Sequence, residues 1–387
     1  MPLPGEVLGS ANPMMPRSYF VIRSKSEADA KIRLQSDPIL RTLKARGTPA
    51  LLIDPSATAT IPEAACVIFH YDDEPAVEVV RAATQQAQRL LSVCLCSDMY
   101  DLHRYLDLSA HVSIFVVPTE LHRKVLMSQV YNPVYTLHEC IDPIAKTGSP
   151  GPSPFPTKYS TRTLWFGYQE SFYKGMNSLV PIIKRSVTEG KLASFELVLN
   201  KTGFENHYNL PTIPYSIQTF RSVAREFDYC ILSHFSLDLA MNSYIKSPNK
   251  LITALAVGLI PICSASPGYE EVLREYGLGR FLFSSPRELG YVIERLDPVK
   301  DSETIIESGI VEALSERFSE EKIGREFTEI LEDFVQRGRA EELATMPEIR
   351  PLPLGKRRED HVGLRAHLAD LFPSAIRSVK SRLRVAG

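Results

Sequence analysis

The chain has one tryptophan in 387 residues and no apolar run of the 18 or so residues that a membrane-spanning helix needs. It has little excess charge: the net value is -2, which gives no electrostatic footprint for nucleic acid. It has no Asp-x-Asp string, so that route to a metal-held diphosphate is missing; FHYDDE comes near it in letters and reads as a polar loop after a strand. Six cysteines are present, Cys66, Cys94, Cys96, Cys140, Cys230 and Cys263. They mostly sit in apolar runs such as LLSVCLCS and lack the paired spacing of a zinc site, so they read as buried thiols in a reducing compartment. The opening MPLPGEVLGSANPMMPRS has no charged head and no apolar middle; residues 1–18 read as a disordered lead, and a cytoplasmic location follows.

What is present is a repeated alternation. At this length, two domains are the natural expectation. From residue 19, short unalternating apolar runs (SYFVIRS, PALLIDP, ACVIFHY, RLLSVCLCS, HVSIFVVP) are separated by helical patterns such as EPAVEVVRAATQQAQ. Such strands are covered on both faces, as in a parallel sheet. This half is assigned residues 19–144. The Pro-, Gly- and Ser-rich stretch 145–161 reads as a linker. The alternation restarts with TLWFG, FELVLNK, DYCILSHF, LIPICS and GRFLFSS, each followed by a helical pattern, and residues 301–345 read as helical. The second domain is therefore 162–345. The fold class expected is α/β, two facing Rossmann-like domains with a ligand cleft between them. The tail, 346–387, is basic: from 351 onward it holds eight Lys+Arg against three Asp+Glu. It reads either as a solvated tail or as a peripheral contact with an anionic inner membrane face.

One segment, SPNKLITALAVGLIPICSASPGYEEV, carries most of the chemistry. Ser247 is expected as an N-cap, with Pro248 at the first helical position and Gly258 at the exit. Lys246 and Lys250 flank that start, where the helix dipole disfavours a cation by roughly 0.3–1 kcal/mol each. A bound anion reverses the sign, so this is a candidate phosphate site; the plainer reading is two solvated lysines.

The same segment resembles the donor-binding region of GT-B glycosyltransferases: a basic residue, an Ala-rich helix ending in Gly, a Pro-containing strand, then Pro-Gly running into Glu. TLWFGYQESFYKGMNSL resembles the opening of that domain, and SVCLCSDMYDLHRYLDLSAHVSIFVVPTELHRKVL, more weakly, its first-domain pattern. The resemblance implies a nucleotide-sugar donor and no metal or other cofactor. By it, Gly167 lets the backbone approach the donor, and Lys174, next to Gly175, balances the diphosphate with Lys250. Ser247 and Asn249 bind phosphate or sugar oxygens, while Gly268, Tyr269, Glu270 and Glu271 lie along the sugar or ribose. The sequence departs from the family where many retaining members carry two glutamates: Thr253 and Ile245 stand there.

For a base toward a saccharide, lipid-linked or other hydroxyl acceptor, the first half offers His70, Asp98, Asp101 and His103 at strand ends. Each reads equally as a cap or loop hydrogen bond. The function expected is glycosyl transfer in surface polysaccharide or glycoconjugate synthesis. The alternatives are a nucleotide-sugar epimerase, a catalytically degenerate binding partner of a polysaccharide assembly complex, and a two-domain binding protein.

Overall fold

The computed structural model describes residues 15–341 except 26–28, 57–60, 63–64, 87–89, 98–99, 144–157, 200–206, 217–218 and 235–239. The first half builds a six-stranded sheet from β1 (Ser18–Ile22), β2 (Ala50–Ile53), β3 (Ala65–His70), β4 (Leu91–Leu95), β5 (Ile114–Val117) and β6 (Val134–Thr136). All pairings are parallel, in the order β2-β1-β3-β4-β5-β6. The winding reverses between β1 and β3, which opens a crevice beyond the carboxyl ends of those strands. Helices α1 (Asp37–Ala45), α2 (Glu74–Gln86), α3 (Leu102–Leu108) and α4 (Glu120–Met127) connect them. A π-helical turn, Ile32–Ser36, precedes α1 where the sequence suggested plain helix; all five of its residues are buried.

The second half repeats the plan with β7 (Arg162–Gly167), β8 (Ser194–Leu199), β9 (Thr212–Pro214), β10 (Tyr229–Leu232), β11 (Ile260–Ser264) and β12 (Leu282–Phe283). Again all pairings are parallel, in the order β12-β11-β10-β7-β8-β9, so this sheet reverses between β7 and β10. Its helices are α5 (Gln169–Met176), α6 (Val180–Thr188), α7 (Phe220–Ala224), α8 (Ala240–Ile245), α9 (Asn249–Ala256), α10 (Pro267–Glu275), α11 (Pro286–Ile293), α12 (Pro298–Glu307), α13 (Ile310–Arg317) and α14 (Glu320–Glu341). Two short elements, β9 and α8, escaped the sequence reading because neither is long enough to show a period. The expected strand GRFLFSS shrinks to Leu282–Phe283, its first residues forming a 3-10 turn.

Strand alternation decides which layer each side chain joins. Phe20 and Ile22 of β1 pack with Val77 of α2 and Tyr105 of α3. Tyr19 and Val21 point the other way, onto Ile39 of α1 and onto Ile323, Phe327 and Leu331 of α14. Helix α14, counted with the second half on sequence grounds, thus buries its apolar face on the first sheet. Each such side chain contributes roughly 1.5–3 kcal/mol. Gly324 permits the contact: a Cβ there would come within 2.3 Å of Thr42 Cβ. No described helix is long and apolar enough to cross a membrane. All six cysteines are buried and unbridged.

Candidate functional site

The carboxyl ends of both sheets face the same region. Thr119, just beyond β5, donates its hydroxyl to the carbonyl of Ile245 at 3.0 Å, and the Tyr100 amide donates to Asn242 Oδ1 at 2.7 Å. These bonds bring the first sheet's loops against α8 and the start of α9.

β7 ends at Gly167, whose φ of 146° an L side chain rarely adopts. A Cβ there would lie 2.6 Å from Lys250 Nζ and 3.0 Å from the Trp165 ring. Lys250 therefore lies directly against bare backbone, with its ammonium 4.6 Å from the centroid of Trp165. Trp165 is itself buried in the second core. A cation over an indole gains about 0.5–2 kcal/mol, so the ring helps hold Nζ at the strand end. Two more close approaches brace this corner. A Cβ on Gly175 would fall 2.4 Å from the Ser233 carbonyl oxygen, and one on Gly268 would fall 2.7 Å from that of Lys246. Small residues at these points let α5 dock on the end of β10 and α10 on the turn before α9.

Ser247 does not cap α9. The helix starts at Asn249 with Pro248 at the cap position, and Ser247 Oγ instead donates to the Glu139 carboxylate. A hydrogen bond to a charged acceptor is about twice as strong as a neutral one, which accounts for the change of partner. Asn249 Nδ2 donates to the same carboxylate at 3.2 Å, and Thr253 Oγ1 donates to Asn249 Oδ1 at 3.3 Å. Lys174 is exposed in the last turn of α5 and makes no hydrogen bond or ion pair among the described residues. Tyr269 is fully buried, Glu270 accepts from Arg274 Nε at 2.7 Å, and Glu271 is exposed.

The first-half candidates scatter. His70 ends β3 fully buried, with no hydrogen-bond partner on either ring nitrogen among the described residues; burial pushes its imidazole down to about 3. Asp101 caps α3, accepting from the Arg104 amide at 3.1 Å. His103 is exposed on α3. Asp98 lies outside the described residues. In FHYDDE, Asp72 takes both Lys25 and Lys31, and Asp73 accepts from the Ser24 amide and hydroxyl; these are structural ties.

Four residues of this region went unnoticed in the sequence. Glu139 follows β6 and gathers Ser247, Asn249 and Gln35. Arg33, on the π-helical turn, grips Asp142 with two bonds of 3.1 and 2.8 Å. Burial opposes the Arg33 charge, but the Asp142 hydrogen bonds and carboxylate outweigh it and hold the guanidinium above its usual range. His234, just past β10, stacks on Tyr269 with ring centroids 4.2 Å apart, and its nitrogens meet Tyr269 OH at 2.8 Å and Ser266 Oγ at 3.2 Å. Only His234 carried a signal, a polar residue at a strand's carboxyl end.

A mutant of the Thermobaculum terrenum O-GlcNAc transferase superposes on this structure with a TM-score of 0.50 at 11% identity, over 86% of this chain and 71% of that one. The fold is GT-B. A UDP-GlcNAc 2-epimerase from Neisseria meningitidis, solved with UDP-GlcNAc, gives a TM-score of 0.47 at 11% identity, over 82% of this chain and all of that one. An α,α-trehalose-phosphate synthase from Burkholderia vietnamiensis gives 0.46 at 10%, over 74% and 73%. No family model and no curated protein matches the chain. Likeness at this identity concerns the backbone. A fold by itself does not fix the chemistry, so the site has to argue the rest.

Proposed function

We propose that the chain binds a nucleotide-sugar at the Gly167–Lys250 corner and transfers the sugar to a hydroxyl acceptor. The observation that carries this is the Lys250 ammonium, seated against the bare backbone of Gly167 at the switch point of the second sheet. A departing diphosphate needs its developing charge neutralised, and a cation at a strand end beside a helix N-terminus does that without a metal. Lys174, exposed one helix away, is a second cation for the same diphosphate. The acceptor, a saccharide or lipid-linked hydroxyl, enters from the first sheet's side, and the setting is surface polysaccharide or glycoconjugate synthesis on the cytoplasmic side. Contact of the basic tail with an anionic membrane face belongs to the same reading; the tail lies outside the described residues.

A screen of UDP-, GDP-, ADP- and dTDP-sugars by thermal shift tests the proposal, since a ligand of the native state raises the melting point. Lys250→Ala should weaken the nucleotide that binds by about tenfold, or about 1.4 kcal/mol. Unchanged affinity in calorimetry removes Lys250 from the site. Donor turnover on a hydroxyl acceptor separates a transferase from a binding partner that holds the nucleotide without chemistry.

A further inference from the structure

The start of α9 already has an anion on it. Glu139 is only 8% exposed, and its Oε2 accepts from Ser247 Oγ and Asn249 Nδ2. Its Oε1 takes Gln35 Nε2 at 3.4 Å, and Gln35 also donates to the Cys96 carbonyl at 3.3 Å. Thr253, bonded to Asn249 Oδ1, leaves the amide nitrogen for the carboxylate. Donors more than 100 residues away in the chain thus converge on one carboxylate at the positive end of a helix, beside Lys250. A diphosphate at the Gly167–Lys250 corner has to share this end with Glu139 or displace it.

We propose that Glu139 is an internal competitor for the donor's diphosphate and sets the balance between donor and product. This rests on the donor reading above. Transfer breaks the bond between sugar and terminal phosphate and forms one from the sugar to the acceptor oxygen, whose proton passes to solvent; the freed phosphate gains close to one further negative charge, its second ionisation lying near pH 6. A carboxylate nearby repels the nucleoside diphosphate more than the nucleotide-sugar. At the dielectric of a protein surface, one added like charge within several ångströms weakens binding by roughly tenfold. Glu139 therefore favours product release and lowers product inhibition.

The test is calorimetric titration of the full chain with UDP, GDP, ADP and dTDP and with their glucose conjugates. For the nucleotide that binds, Glu139→Gln should tighten the diphosphate about tenfold more than it tightens the glucose conjugate. Equal or weaker diphosphate binding in Glu139→Gln overturns the proposal, as does an equal gain for both ligands. If Glu139→Gln lowers the melting point too far, Glu139→Ala is read in the same way. Lys250→Ala tells the two ideas apart. Loss of affinity there with no gain in Glu139→Gln leaves the donor reading standing and sinks the competitor. No loss in Lys250→Ala, or no binding by wild type and Glu139→Gln alike, sinks both.

Discussion

The ammonium of Lys250 lies 4.6 Å from the ring centroid of Trp165, although 85 residues separate the two. One strand supplies both the ring and Gly167, the bare residue beside it, so the cation's position depends on a residue with no charge at all. Replacing Gly167 with Ala puts a methyl 2.6 Å from the Lys250 Nζ and forces an unfavourable φ. We expect Gly167→Ala to weaken nucleoside diphosphate binding about as much as Lys250→Ala does, roughly tenfold. The backbone penalty should cost about 1–3 kcal/mol. Calorimetry and thermal melting read the two effects; a large stability loss with unchanged affinity would refute the coupling.

The Arg33–Asp142 pair is buried on both sides. Removing the Asp142 charge takes away the carboxylate that offsets the burial of the Arg33 guanidinium. Asp142→Asn should therefore cost about 3–5 kcal/mol, read as a fall in the denaturant midpoint. Arg33→Met combined with Asp142→Leu should recover most of that loss; a double variant as unstable as the single one contradicts the account.

His70 makes stability acid-sensitive in a defined direction. Burial holds its folded value near 3, against an unfolded value of about 6.5, so the unfolded chain binds the proton first. Its contribution is complete above about pH 6.5 and is lost as pH falls toward 3, at up to about 1.4 kcal/mol per pH unit. His138, also held down by burial, acts in the same direction, so a His70→Leu variant should show a flatter but not level stability profile between about pH 6.5 and 4.5. The same slope in variant and wild type would exclude His70 as the source.

Gly324 tests the seating of α14 on the first sheet. A Cβ there meets Thr42 at under 2.5 Å, so Gly324→Val should cost about 1–3 kcal/mol by overpacking. Adding Thr42→Ala or Thr42→Gly should relieve part of it in thermal melts. Full independence of the two sites would place the helix elsewhere.

Much of the architecture was legible because local pattern and global layer agree. Unalternating runs such as ACVIFH and LSVCL can be satisfied only with cover on both faces, and that alone implies parallel sheets with helices above and below. The Ala-rich helix ending at Gly258 was legible for the same reason. α14 was not: its apolar stripe shows that it packs, while the partner is set by where the chain returns, which no local period encodes.

At the site the division is sharper. Helix grammar and a misplaced cation singled out the α9 segment and Lys250 in the sequence, and the GT-B resemblance singled out Gly167; the fold brings Lys250 against Gly167. Tertiary structure decided what Ser247 does, turning an expected cap into a donor for Glu139, with Asn249 donating to the same carboxylate. It also turned Asp101 into a cap and sealed His70 in the core. Those outcomes depend on which charges meet once the loops of the two sheets come together. Electrostatic partners more than 100 residues apart leave no periodicity in the chain, and a buried carboxylate takes the strongest donors that the fold brings within reach.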